Sequence, residues 1–193
     1  MTRERKGRAA AIMASARELF EQKGFETTTI DDITSRAQVS KGLAYHYFRS
    51  KDDILRELIR ARLDELDDLI ERMRAEKSAV RRLRILVSQL VTELTEGEDR
   101  QRFLVTTFLQ KQHHKLVTKA MQQSPERFAA LQAEELRLLA DLGHNEAQKE
   151  LPLFRATLQG MVMLYLLNPH GFPLHDVGEL FVQRYTKGVA QND

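Results

Sequence analysis

Residues 38–51 read Gln38-Val39-Ser40-Lys41-Gly42-Leu43-Ala44-Tyr45-His46-Tyr47-Phe48-Arg49-Ser50-Lys51. Two serines in this run stand where helices begin. Ser40 precedes a short helical turn predicted over Lys41 to Tyr47, and Ser50 precedes a long helix with Asp53 at its third position. Just upstream, Thr28-Thr29-Ile30-Asp31-Asp32 has the pattern of a capping box, in which a hydroxyl and an acid three residues on satisfy each other's backbone N–H groups. The helix it opens is short, because its apolar residues Ile30, Ile33 and Ala37 run out at Gln38-Val39-Ser40. Two short helices therefore meet across a tight turn, the layout of a helix-turn-helix.

The flanking sequence is helical as well. Ile12, Ala16, Leu19 and Phe20 form one stripe of a first helix, which ends near Lys23 because Gly24 suits a left-handed stop. After Ser50, the residues Leu55, Leu58, Ile59, Leu66, Leu69, Ile70 and Met73 recur along one face of a fourth helix that ends near Glu76. Ser78 caps the next, which closes at Gly97; further helices are expected over residues 101–117, 125–142 behind the cap Ser124, 148–167 and 174–188. No strand-like alternation of useful length occurs. The expected fold is all-α, with about nine helices: a three-helix head over residues 1–50, a connecting helix from 51, and a larger helical body over residues 51–193.

Composition narrows the function. The 193 residues contain no cysteine, which excludes disulfide scaffolds, thiolate metal sites and cysteine nucleophiles. Lys and Arg number 30 against 28 for Asp and Glu, so overall charge decides nothing, yet residues 1–60 lean basic, with 12 basic and nine acidic side chains. The uncharged stretch over residues 156–170 is interrupted by Gln159, Asn168 and Pro169 and is too short to cross a bilayer, and no apolar run of a secretion signal follows the basic start. A cytoplasmic protein with no membrane partner is expected.

Two placements of charge break a local rule. Lys51 occupies the first turn of a helix, where the helix dipole disfavours a cation, and Arg3, Arg5, Lys6 and Arg8 crowd the start of the first helix. A polyanion beside both accounts for them, with a phosphate held by free N–H groups and the Lys51 ammonium together. The second helix of the pair must also enter the major groove. Lys41-Gly42-Leu43-Ala44 offers a reaching donor beside a residue that lets the backbone come close.

These features converge on one family. With Ala16-Arg17-Glu18-Leu19-Phe20, Lys23-Gly24-Phe25, Thr28-Thr29-Ile30, Ile33, Ala37, the run from Val39 to Phe48 and Ser50-Lys51, the head closely resembles the tetracycline-repressor (TetR) family of bacterial transcription regulators. The resemblance implies a homodimer on a near-palindromic double-stranded DNA operator, released by a small apolar effector bound in each body, with no cofactor and no catalysis. On the matching positions, Lys41, Gly42, Leu43, Tyr45 and His46 face the bases, while Thr28, Thr29, Ser40, Tyr47 and Lys51 hold phosphates. Two residues depart from the family pattern. Gln38 stands where glycine is frequent, which implies a turn held at some cost, and Ala44 stands where leucine or isoleucine is frequent, which leaves a smaller anchor under the recognition helix. A DNA-binding activator or architectural protein with the same head and no inducer is the alternative.

Beyond the head, only the residues themselves speak. Phe103, Phe108, Met121, Phe128, Met161 and Tyr165 are the expected lining of an apolar effector cavity. Leu158, Val162 and Leu166 on one of the last two helices, and Val177, Leu180, Phe181 and Tyr185 on the other, are the expected four-helix dimer interface, with Gly160 permitting close approach. Glu134, Glu135, Asp141 and His144 are the group an enzyme would use, but no Ser-His-Asp spacing, phosphate-cradling glycine loop or His-x-x-x-His pair accompanies them. His113 and His114 are adjacent, so on a helix they point about 100° apart and do not chelate one ion. No catalytic or metal site is expected.

Overall fold

The computed structural model describes residues 3–109, 118 and 124–187; for residues 3–6, 104 and 107–109 it describes the backbone alone. Among the described residues there are nine helices and no strand: α1 (Arg3–Lys23), α2 (Ile30–Arg36), α3 (Lys41–Tyr47), α4 (Lys51–Ala75), α5 (Ala79–Glu96), α6 (Glu98–Leu109), α7 (Pro125–Asp141), α8 (Ala147–Leu167) and α9 (Leu174–Tyr185). The chain divides into two units, a head of Met1–Asp64 with Arg102–Gln123 and a body of Glu65–Gln101 with Ser124–Asp193. The expected boundary at residues 50 and 51 thus moves into α4. Its first turns bury Ile54, Leu55 and Ile59 in the head core, so they fold with the head.

The head is shaped by its caps. Gly24 (φ 87°) stops α1, its N–H donating to Phe20 O at 3.0 Å. At α2 the Thr29 hydroxyl accepts from Asp32 N at 3.1 Å, and the Asp32 carboxylate accepts from Thr29 N at 2.8 Å, the reciprocal capping box. Helix α2 then ends in a Schellman motif. The Val39 N–H donates to Thr34 O at 3.0 Å and the Gln38 N–H to Ser35 O at 3.3 Å, with Gln38 in the left-handed region at φ 53°. A non-glycine residue there costs about 1 kcal/mol or more, so the strain implied by the sequence is present. Ser40 accepts from Leu43 N at 3.2 Å to open α3, and Ser50 accepts from Asp53 N at 3.2 Å to open α4.

Behind the caps lies one apolar cluster. Phe20 meets Phe25 edge-on with ring centroids 5.0 Å apart and stacks on Phe103 of α6 at 5.7 Å. Ala44 and Phe48 turn α3 inward onto Ile12, Ala16 and Ile33. Phe103 is therefore a head-core residue and not part of an effector cavity, a correction that follows from its ring lying against Phe20.

In the body, α5 packs on α7, α8 and α9, and α8 packs on α7 and α9. Phe154, Phe181 and Tyr185 form an aromatic cluster with centroids 4.7–5.3 Å apart. The Tyr185 hydroxyl donates to Glu150 Oε1 at 3.2 Å, and burial together with the Glu150 carboxylate pushes its pKa up to about 12. Leu158, Leu166 and Phe181 are buried in this chain's own core, and Tyr185 closes the aromatic cluster, so these four do not form the expected dimer surface. The apolar stripe they share faces inward.

Two acids of the body, Glu134 and Glu135, are buried as well. Arg82 is 2% exposed and bonds Asp141 through Nη2; Glu135 pairs with Arg155, and Glu134 lies 3.4 Å from Arg137 and 3.7 Å from Arg74. Burial raises the Glu135 pKa while Arg155 opposes the rise. His144 faces the Tyr185 carbonyl at 3.4 Å. Among the described residues no group of three or more His, Asp or Glu is placed to hold a metal ion, and no helix is long and apolar enough to cross a membrane. His113, His114 and Met121, and the side chain of Phe108, lie outside the described residues.

Candidate nucleic-acid interface

Helix α3 has two faces of opposite character. Ala44 is buried and Leu43 half-buried, while Lys41, Gly42, Tyr45 and His46 are exposed on the other side. The spacing explains the segregation: positions i, i+1, i+4 and i+5 of a helix share one side. The sequence thus presents Lys41, Gly42, Tyr45 and His46 together, and the inward residue Ala44, at 2% exposure, sets how closely α3 sits on the head. A Cβ added at Gly42 would meet nothing within 4 Å, and its φ is not in the left-handed region. Nothing inside the protein requires glycine here.

The charged groups on this side are paired on the surface. Lys41 Nζ lies 2.7 Å from Asp31 Oδ1, with the side chains 55% and 69% exposed, and the Asp31 carboxylate raises the Lys41 pKa. Lys41 stays charged, and an exposed pair of this kind contributes little and exchanges readily for a stronger anion. Lys23 and the Thr29 hydrogen bonds hold the Asp32 carboxyl well below the usual carboxylate range, so the capping box keeps its charge. The sequence offers Asp31 only as part of the capping-box pattern; its place at the start of α2 gives no sign that it reaches Lys41.

Two of the expected phosphate contacts are corrected. Thr28 is 1% exposed, and its hydroxyl donates to Gly24 O at 2.8 Å and Leu19 O at 3.3 Å, bracing the end of α1 instead of facing outward. Lys51 Nζ donates to Phe25 O at 2.6 Å, Thr28 O at 2.9 Å and Glu26 O at 3.3 Å, and it stands 4.3 Å over the Phe25 ring. An ammonium has three N–H donors, so this one is saturated within the head. The cation at the start of α4 answers to the carbonyls of the α1–α2 loop. Thr29 and Ser40 remain exposed, and Tyr47 is half-buried with its ring 5.4 Å from that of His46.

Residues 12–58 match the profile of the family described as bacterial regulatory proteins, tetR family. Over that segment the head is similar to those of tetR-family regulators. Over 102 residues, half of this chain, it is 35% identical to the uncharacterised HTH-type transcriptional regulator YfiR of Bacillus subtilis. Over 65 residues, 34% of this chain, it is 35% identical to the HTH-type transcriptional repressor KstR2 of Rhodococcus jostii. It covers 46% and 32% of these curated relatives, less than half of either. The fold extends further than the sequence likeness: the Bacillus subtilis regulator FadR, solved in complex with stearoyl-CoA, superposes with a TM-score of 0.72 at 16% identity over 94% of this chain and 99% of that one.

The body offers one groove whose lining is described. It has a volume of about 580 Å³, with Ile85, Val87, Val91 and Val182 as its floor and the Arg84–Glu179 ion pair at its rim. None of the expected cavity residues lines it. Met161 is buried beneath Gly178, and Phe128 and Tyr165 are half-buried elsewhere. Leu153, Leu164 and Leu167 of α8 are 60%, 52% and 73% exposed. Their spacing with Gly160, by seven, four and three residues, places them on one side of the helix.

Proposed function

We propose that this protein is a DNA-binding transcriptional repressor that reads a near-palindromic operator as a homodimer and releases it when a small apolar ligand occupies the body. The observation that carries the DNA reading is the outward face of α3, where Lys41, Gly42, Tyr45 and His46 stand together and Gly42 opens onto free space. Inside a helix, glycine costs about 1 kcal/mol relative to alanine. A duplex that needs the backbone close supplies the reason to keep it. Thr29, Ser40 and Tyr47 flank that face as phosphate contacts, and a DNA target makes the protein cytoplasmic.

Repression is supported by the likeness to KstR2, and a ligand with an apolar chain by the fold shared with FadR, solved with stearoyl-CoA. Phe128 and Tyr165 are the side chains left to line such a site. A second copy is the occupant of the exposed stripe of Leu153, Gly160, Leu164 and Leu167, joined by Leu180 of α9 at 47% exposure. Two heads related by this contact read half-sites about 34–36 Å apart, and a ligand that favours another spacing lowers operator affinity by about 5–150-fold. No group in the structure is assigned a catalytic role.

The test is selection from random double-stranded DNA at low salt. A near-palindromic consensus is expected, and Lys41→Ala shifts the preference at one or two base pairs by ~1–3 kcal/mol. Failure of the wild-type protein to enrich any sequence overturns the reading. Stearoyl-CoA is the first ligand to add, with release of the selected DNA as the expected result.

A further inference from the structure

The head holds a groove of about 660 Å³ that shares only Ser40 with the proposed DNA contacts. Gly7, Arg8 and Ala11 of α1 form one wall, and Ala37, Gln38, Val39, Ser40 and Leu43 form the other. It begins at Ser40, the cap of α3, and so continues directly from the base-reading face. Its walls are mostly small residues, with one cation and two uncharged polar side chains at the edges.

Gln38 is the unusual member. It occupies the left-handed position of a Schellman motif at φ 53°, where glycine carries no strain, and all the hydrogen bonds of that motif are made by backbone. Its exposed carboxamide has no hydrogen-bond partner among the described residues. The strain therefore gains nothing inside the head. A strained residue that the fold does not need points to a role for its side chain outside the fold.

We infer that this groove seats a sugar–phosphate strand of the duplex, with the Gln38 carboxamide donating an N–H to a phosphate oxygen and Arg8 facing the same strand from the opposite wall. The occupant is DNA backbone on three grounds: the groove is continuous with the α3 face, it carries a cation and no carboxylate, and its small residues admit a deoxyribose. The inference rests on the DNA-binding reading. Gln38 acts on all sequences alike, because a phosphate carries no base identity.

The experiment measures fluorescence anisotropy of the selected operator and of an unrelated duplex across a salt series. Gln38→Gly is expected to raise the melting midpoint by about 2 °C and to weaken both duplexes about tenfold, leaving the salt slope unchanged. Gln38→Ala, which keeps the strain and loses the carboxamide, is expected to show the same loss without the gain in melting temperature. Arg8→Gln is expected to lower the salt slope by about one. Affinity equal to wild type in both Gln38 variants overturns the inference while leaving the regulator intact. A wild-type protein that binds neither duplex overturns the DNA reading itself, and this seat with it.

Discussion

Helices α2 and α7 stop by the same pair of backbone hydrogen bonds and differ in one residue. At α7 the left-handed position is Gly143 (φ 87°), with Gly143 N–H on Ala140 O at 2.9 Å and His144 N–H on Leu139 O at 3.0 Å. At α2 the same position is Gln38, with bonds of 3.3 and 3.0 Å. The body takes the residue that local energetics favour, and the head takes one that they disfavour. The contrast extends beyond this motif. In the body the buried charges Arg82 and Glu135 each reach a partner at the surface, Asp141 and Arg155, although Arg82 keeps two donors unpaired among the described residues, whereas in the head Gln38 and Gly42 have no internal reason to be what they are. Departures from local rules that the fold itself does not resolve collect where a partner docks. Lys51 sharpens the distinction, because it breaks a rule in the head and is resolved within it.

The largest effect is expected where the body's rule is broken. Asp141→Ala leaves Arg82 buried with Nε and Nη1 already lacking hydrogen-bond partners, and loss of its one carboxylate should cost about 3 kcal/mol. Urea unfolding monitored by circular dichroism measures it, and the DNA affinity of the protein that remains folded should not change. A loss below about 1 kcal/mol would show that the body tolerates an uncompensated guanidinium, and the contrast with the head would fail.

Next is Lys51→Met, which removes three charge-assisted hydrogen bonds to the loop while keeping an apolar stem. A loss of about 2 kcal/mol in head stability is expected. The salt dependence of DNA binding should stay as in wild type, whereas an ammonium that gripped a phosphate would lower the slope by about one on removal. The two readouts separate an internal brace from a DNA contact.

The head was legible in the sequence because its signals are short in range. Thr29 with Asp32, Ser40, Ser50 and Gly24 each act within four residues, so spacing alone places α1 to α4. What escaped was every contact formed across longer separations. Lys51 meets carbonyls 23 to 26 residues upstream, and a cation at a helix start carries the same signature whether a phosphate or a loop carbonyl satisfies it. In the body, α8 is apolar on more than one side. Leu158, Met161 and Leu166 turn inward and Leu153, Leu164 and Leu167 outward, and periodicity cannot tell a chain's own core from the surface of a second copy. Phe103 was misplaced for a related reason, since nothing local announces that α6 returns its ring to Phe20.

The smallest effect is the most discriminating, because it predicts opposite signs for one substitution made in two places. Gly42→Ala adds a methyl in the first turn of α3, where nothing lies within 4 Å and φ is ordinary, so the free protein should gain about 0.5 kcal/mol. Gly143→Ala adds the same methyl in equally open space but at φ 87°, so it should lose about 1 kcal/mol through backbone strain alone. On DNA the order reverses. The Gly42 variant should bind its selected operator about tenfold more weakly, the cost of holding the backbone off the base edges by one methyl group, and the Gly143 variant should bind as wild type does. A Gly42→Ala protein that is more stable and binds equally well would mean that the glycine serves neither the fold nor the duplex, and the division between a self-sufficient body and an outward-facing head would lose its most direct support.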